Sequence, residues 1–359
     1  MVTNVQPKAE KIYIGMDISQ ETIEVYVLSN GYGKSFGKID NNPNSINTFL
    51  DYIKEPAASI VVAIETGTHS TWIARVIKGR GSEVIVANAR DLAFIYKSEK
   101  KSDRTDAEKL ARMARADQKL LSPVNVIDED RQKALVSIKS REILMRNRTI
   151  IVNCLRGQLR YLGISDKGYT SETINDIYPT LPKDLKGLFK PLFATLTTLT
   201  NQIKEYDRLI EKIAKKYPET QTLQQIKGVG PITSLAFALI IGDPKRFTTE
   251  QCASYIGLVP KRDQSGDVDK QLGITKCGNI LLRKYLVQCA QYVMGPFGED
   301  CDLRDFGQRL MQRGGSIAKK KAIIAIARKI AITMLVLWKN PDTKYDPHYK
   351  SNRKKTKIA

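Results

Sequence analysis

The sequence predicts an α/β domain, then a long helical stretch, then a second, mainly α-helical domain. Three observations carry that expectation. Near the N-terminus, short β-branched runs alternate with turn residues; in the middle, apolar residues recur every seven positions; further on, apolar helical runs are interrupted by glycine-rich turns. With 359 residues, 42% of them apolar, the chain can build two domains with separate cores.

The stretch 13–19 reads YIGMDIS, and the alternating Ile12, Ile14 and Met16 deliver Asp17 to the end of a strand. The runs 22–28 and 32–39 are the next two strands of a meander, each set off by turn residues. Residues 43–54 form a short helix with Ile46, Phe49, Leu50 and Ile53 on one face. The continuous β-branched run 59–64 is a strand buried on both faces, and it ends at Glu65, followed by Thr66 and Gly67. A helix over 71–78 and a fifth strand over 83–87 (EVIVA) complete the order β-β-β-α-β-α-β. That order, with an acid at two strand ends, resembles that of a ribonuclease-H-type fold, and the resemblance implies a sheet carrying metal-binding carboxylates where phosphodiesters are cut.

A third acidic feature lies in 100–116, KKSDRTDAEKLARMARA. Asp103 and Asp106 are three apart and share a helix face with Ala107, Leu110 and Ala114. Carboxylates in line with a buried stripe are costly unless a cation compensates them. The same residues also read as a helix start, with Thr105 and Glu108 as a capping box and acids favouring the helix dipole. Beside Asp17 and Glu65, a four-acid metal site is the favoured reading. Two-metal phosphodiester cleavage needs oxygen ligands holding the ions about 4 Å apart, and Mg²⁺ prefers carboxylate, water and phosphate. Only two histidines and five cysteines without CxxC spacing argue against structural zinc.

From 128 to 162 the chain turns helical and basic, with Ile138, Met145, Val152 and Leu159 seven apart and Arg141 and Arg148 among the companion positions. After a break over 163–182, two apolar columns follow: Leu192, Leu199, Tyr206, Ile213 and Phe189, Leu196, Ile203, Ile210. This is a coiled-coil signal, with an intramolecular hairpin and a dimer contact both open. The second domain opens with LQQIKGVGPITSLAFALI over 223–240, where Gly228-Val229-Gly230 has the pattern of a helix-hairpin-helix turn whose backbone N–H groups approach a phosphate. Residues 261–270 show no helical or strand period and read as a loop holding Ser265 before Gly266, a pair that by itself is ordinarily just a turn. Helices over 281–294 and 316–338 close this domain. Lys227, Gly228, Gly230, Lys261, Arg262, Lys276 and Arg283 are the candidate nucleic-acid contacts. The expected divisions are 11–122, 127–216, 222–340 and a basic tail over 341–359 that is mobile and touches nucleic acid or stays solvated.

Lys and Arg exceed Asp and Glu by 58 − 38 = 20, which points to a polyanionic partner. An odd number of cysteines suits a reduced, cytoplasmic setting, and the polar start of the chain carries no secretory pattern. The most apolar stretch, 323–338, is interrupted by Arg328 and Lys329, so a buried helix is expected there and no membrane span.

These parts, in this order, resemble a known family. GMDIS, the IETG of 64–67 and KSDRTDAEKLA look like the RuvC-like half of the DEDD transposases, the insertion-sequence family that includes the Piv/MooV invertases and bridge-RNA-guided recombinases. IKGVG, ASYIGLVP, QSG and GITKCGN with LLRKYL are similar to that family's C-terminal transposase domain, so the resemblance spans roughly 13–338. It implies a carboxylate tetrad at Asp17, Glu65, Asp103 and Asp106, and a catalytic serine at Ser265, in a loop that continues with Asp267 where many relatives have a second glycine. It further implies two Mg²⁺ ions on the tetrad, a phosphoseryl intermediate and strand exchange in place of hydrolysis. The implied partners are donor and target DNA, a structured noncoding guide RNA, and further copies of the chain in a dimer or tetramer with shared active sites. Two rival expectations are a RuvC-like Holliday-junction resolvase using water as nucleophile, and a non-catalytic nucleic-acid-binding scaffold.

Overall fold

A computed structural model of the chain describes residues 11–89, 92, 102–265, 268–315 and 317–349. The chain divides into two compact units, Met1–Glu129 and Asp130–Ala359.

The first unit is built on a five-stranded mixed sheet in the order β3-β2-β1-β4-β5. Its strands are β1 (Ile12–Ile18), β2 (Thr22–Ser29), β3 (Tyr32–Asp40), β4 (Ile60–Glu65) and β5 (Glu83–Ala87). The first three form an antiparallel meander, while β4 runs parallel to β1 and β5 parallel to β4. Helices α1 (Pro43–Tyr52) and α2 (Ser70–Gly79) cover one face, burying Ile46, Phe49, Ile73 and Ile77 against Ile14, Met16, Val62 and Ile64. Helix α3 (Asp103–Ala116) covers the other face, where Leu110 and Ala114 meet Val61 and Ala63. Both faces of β4 are therefore apolar, as its uninterrupted IVVAI requires. A Cβ at Gly15 would lie 1.8 Å from the Ala107 carbonyl oxygen, so the missing side chain is what lets α3 rest directly on β1.

The second unit begins with two long helices, α4 (Glu129–Tyr161) and α5 (Lys183–Ala214). They pack on each other within the chain. Val152, Leu155 and Leu159 meet Phe189, Phe193 and Leu196, and the segment between the helices adds Ile174, Ile177 and Leu181. The arginines at companion positions bridge outward: Arg141 pairs with Asp207, and Arg148 donates from Nε to Thr200 Oγ1 at 3.1 Å and from Nη2 to the Ser171 carbonyl at 2.6 Å. Of the two arrangements left open by the heptad pattern, the intramolecular hairpin is therefore present.

The helical core of this unit contains α6 (Pro218–Leu223), α7 (Pro231–Ile241), α8 (Thr249–Ile256), α9 (Ile280–Met294), α10 (Asp302–Met311) and α11 (Ala318–Lys339). Ala134 and Ile138 of α4, with Ile210 and Ala214 of α5, join it. Helix α7 is apolar on nearly every side and lies at the centre. Neither α8 nor α10 was expected, since both are short and α10 carries Gly307 in its interior.

Two expectations are corrected here. The segment read as a loop over 261–270 belongs to an antiparallel hairpin, β6 (Pro260–Ser265) and β7 (Val268–Ile274). Residues 261–264 are all exposed, so this pair lacks the apolar alternation by which a half-buried strand is read. The tail is not an untethered arm from 341 onward: Tyr345 packs against the core and its N–H donates to Gln225 Oε1 at 2.8 Å, while Asp302 N–H donates to the Pro347 carbonyl at 2.9 Å. Lys350, Arg353, Lys354, Lys355 and Lys357 lie outside the described residues. Among the described residues no helix is long and apolar enough to cross a membrane.

Candidate active site

Strand register places the acids of the first unit. Asp17 on β1 stands opposite Glu24 on β2, and Glu24 opposite Lys38 on β3. On the other side Met16 pairs with Ile64, so the next residue along β4, Glu65, is Asp17's neighbour. One rung therefore carries Glu65, Asp17, Glu24 and Lys38 across adjacent strands.

All four side chains leave the sheet on the α3 side. Gly15 faces α3, and a side chain two residues along the same strand, that of Asp17, points the same way. Residues directly opposite on neighbouring strands share that face, which brings in Glu24 and Lys38. Ala63 packs with Leu110 and Ala114 of α3, which places Glu65, two residues on, there as well.

Helix α3 brings the other two acids. It is capped by Ser102, whose hydroxyl accepts from the Thr105 N–H at 3.2 Å. This corrects the expected Thr105–Glu108 capping box; Glu108 instead accepts from Arg112 Nε at 2.7 Å and the Tyr26 hydroxyl at 3.3 Å. Asp103 begins the helix, and its Oδ2 lies 3.3 Å from Lys38 Nζ, so the start of α3 stands beside the rung. Asp106 is only 5% exposed and begins the buried face that continues through Ala107, Leu110, Ala111 and Ala114. Its Oδ1 has no hydrogen-bond partner, and the Lys109 ammonium is 3.6 Å away. Asp103, by contrast, is exposed on the first turn, so the shared face expected for the two acids is buried only at Asp106.

The donors suit a hard divalent cation in kind: they are carboxylate oxygens, and one of them is buried without a hydrogen bond. They do not form a closed cage. Among the described residues no three His, Cys, Asp or Glu side chains stand close enough to hold an ion. Lys38 and Lys109 hold the two α3 acids in ion pairs instead. Glu24, 8% exposed and accepting from Ser35 Oγ at 3.1 Å, is a fifth acid that reading the sequence missed.

In the second unit, Ser265 ends β6 opposite Val268, and its backbone is the part described; Gly266 and Asp267 lie outside the described residues. Lys261 and Arg262 are exposed on β6, and Lys276 is exposed just past β7 with φ of 56°. Lys227 pairs with Glu299 at 3.0 Å. The two glycines of the GVG turn differ. At Gly228, φ is 86° and a Cβ would lie 2.9 Å from the Tyr292 ring, so this glycine admits α9. Gly230 caps α7 and faces open space. Arg283 Nη1 donates to the carbonyls of Ile256 at 2.9 Å and Cys277 at 2.7 Å.

Comparison with known proteins finds two family models on this chain. A transposase model of the DEDD IS110 type matches residues 14–163, and the Transposase IS116/IS110/IS902 family model matches residues 220–300. The first range includes Asp17, Glu65, Asp103 and Asp106, and the second includes Ser265. A putative transposase, y4pF/y4sB, of Sinorhizobium fredii is 30% identical over 290 residues, covering 79% of this chain and 73% of that protein. The transposase for insertion sequence element IS1111A of Coxiella burnetii is 29% identical over 258 residues, 69% of each. A probable family 20 transposase of Pseudomonas aeruginosa is 26% identical over 335 residues, 90% of this chain and 95% of that one. An acid-lined sheet edge in one unit, and family matches spanning both units, lead to one conclusion: the chain is a DNA transposase and belongs to the IS116/IS110/IS902 family.

Proposed function

We propose that this transposase cuts and rejoins DNA through a covalent phosphoserine at Ser265, with Asp17, Glu65, Asp103 and Asp106 as the ligands of two Mg²⁺ ions. The observation that carries the reading is the row of Glu65 and Asp17 on one sheet face, with the first turn of α3 beside it. When bound, the ions would stabilise charge on the entering and leaving oxygens of a phosphodiester. Asp17 and Glu65 present their carboxylates from strand ends, where the backbone is held by the sheet. Asp106 contributes a desolvated oxygen whose hydrogen-bonding capacity is unused.

At the serine, the Oγ–P bond forms as the bond from phosphorus to the leaving strand oxygen breaks. The serine proton passes to solvent and the departing oxygen takes one up. The product remains a diester, so attack by another strand's hydroxyl reverses the step without a high-energy cofactor. Donor and target DNA are the substrates, and a structured guide RNA supplies sequence selection. The net charge of +20 supports several polyanionic partners at once.

The test is a covalent trap. Labelled donor and target DNA, RNA from the flank of the element and Mg²⁺ are mixed with the protein, then denatured and resolved on a gel. An adduct that disappears with Ser265→Ala, and that Asp17→Asn reduces on the order of 10³-fold or more, about 4 kcal/mol of barrier, is the expected result. Nicked DNA without an adduct, unchanged by Ser265→Ala, would leave a resolvase that uses water.

A further inference from the structure

The hairpin β6–β7 leaves the helical core through a narrow root. The two limbs touch backbone to backbone there. Gly257, at the end of α8, has φ of 77°, and a Cβ on it would lie 2.2 Å from the Cys277 carbonyl oxygen. Gly278, on the returning limb, has φ of 73°, and its Cβ would lie 1.8 Å from the Tyr255 carbonyl oxygen. Between them, Thr275 N–H donates to the Val259 carbonyl at 2.9 Å and Lys276 N–H to the Gly257 carbonyl at 3.3 Å.

Arg283 closes this crossing from α9. That helix is anchored by Asn279, whose side chain accepts from the Leu282 N–H at 3.0 Å, so Arg283 sits in an ordered first turn. Its single Nη1 donates to one carbonyl on each limb: Ile256 on the way out at 2.9 Å and Cys277 on the way back at 2.7 Å. Ile256 is buried, so the outgoing limb is anchored in the core at the residue Arg283 holds.

We propose that Arg283 is a positioning residue, a clasp that sets the direction of the hairpin and hence the place of Ser265. This rests on the reading of Ser265 as nucleophile, and it revises the expectation that Arg283 contacts nucleic acid. Leverage is the physical reason. Ser265 is nine residues beyond Ile256, a reach of up to about 30 Å in extended chain. Residues 261–264, 270, 272 and 273 are exposed, so at these positions the hairpin has no packed core to steer it. A few degrees of rotation at the root therefore moves the tip by more than about 1 Å, and a misplacement of that size costs roughly 10² in rate.

The test uses the full-length protein with Arg283→Gln and Arg283→Lys, and Ser265→Ala alongside. Three readouts are taken: hydrogen exchange at the Thr275 and Lys276 amides, DNA affinity with its salt dependence in the absence of Mg²⁺, and the single-turnover rate of DNA adduct formation. For Arg283→Gln the expected result is faster exchange at both amides, unchanged affinity and salt slope, and an adduct rate lower by roughly 10². Arg283→Lys, which keeps a charged donor, restores part of the rate and serves if the glutamine variant does not fold. Weaker affinity with the salt slope reduced by about 1, and root exchange unchanged, would make Arg283 a phosphate contact and overturn the clasp. Faster root exchange with an unaltered adduct rate would also overturn it, because the root would then open without displacing the serine. An adduct that survives Ser265→Ala would instead defeat the nucleophile reading, and the positioning role with it.

Discussion

Glu24 shows how much one residue's meaning depends on its neighbour across the sheet. In TIEVYVLS it reads as an ordinary polar position on a strand. A tight turn pairs Ile18 with Ile23, and that pairing puts Glu24 opposite Asp17 on the α3 face. The signal was available in the turn residues Ser19 to Glu21, but only as register. Glu24→Gln removes a buried charge while leaving Ser35 an acceptor, so the metal-free protein should melt at the same temperature or higher. Differential scanning calorimetry checks this, and a drop of several degrees would mean that the ionised form is required by the fold. Gly15→Ala tests the seat of α3. Its methyl group would meet the Ala107 carbonyl at 1.8 Å, a contact with helix backbone that cannot rotate away. A loss of about 3 kcal/mol or more in urea unfolding of the first unit is expected, at the upper end of overpacking costs.

At the scale of elements, helix packing decides which cysteines react. Cys252 on α8 and Cys289 on α9 lie in the core; burial pushes the Cys252 thiol up to about 12 and also raises that of Cys289. Cys301 is buried too, whereas Cys154 on α4 and Cys277 at the hairpin root are exposed. Only the thiolate attacks an alkylating agent. Brief treatment with iodoacetamide near pH 8 should therefore modify two cysteines in the native protein and all five in denaturant, as read by intact mass. Modification of Cys252 or Cys289 without denaturant would show that the helical core opens. The hairpin of α4 and α5 makes a related point. Its buried column of Phe189, Leu196, Ile203 and Ile210 is satisfied within the chain.

At the scale of the whole molecule, an apolar column on α4 is left exposed among the described residues. Val136, Ile143 and Ile150 recur every seven residues along α4 and are 54%, 59% and 56% exposed. A column at heptad spacing is suited to another helix, so this is the surface on which self-association is tested. The double substitution Ile143→Lys and Ile150→Lys should leave the melting temperature nearly unchanged, since both residues are already more than half exposed. It should shift the sedimentation coefficient from oligomer toward monomer. An unchanged sedimentation profile would place the self-association surface elsewhere.

The amino-acid sequence by itself determined the strand and helix order of the first unit, the acids at two strand ends, the long α4 and α5, and the family. Those features are written in local periodicity and in contiguous motifs, which need no partner to be read. Tertiary structure decided the rest, because it depends on residues far apart in sequence. Register put Glu24 beside Asp17. The packing of α3 on β1 buried Asp106 while leaving Asp103 exposed. The pairing of two polar strands made a hairpin of a segment without apolar period. The last such outcome is the placing of Arg283 Nη1 between the Ile256 and Cys277 carbonyls, a meeting that no local pattern encodes.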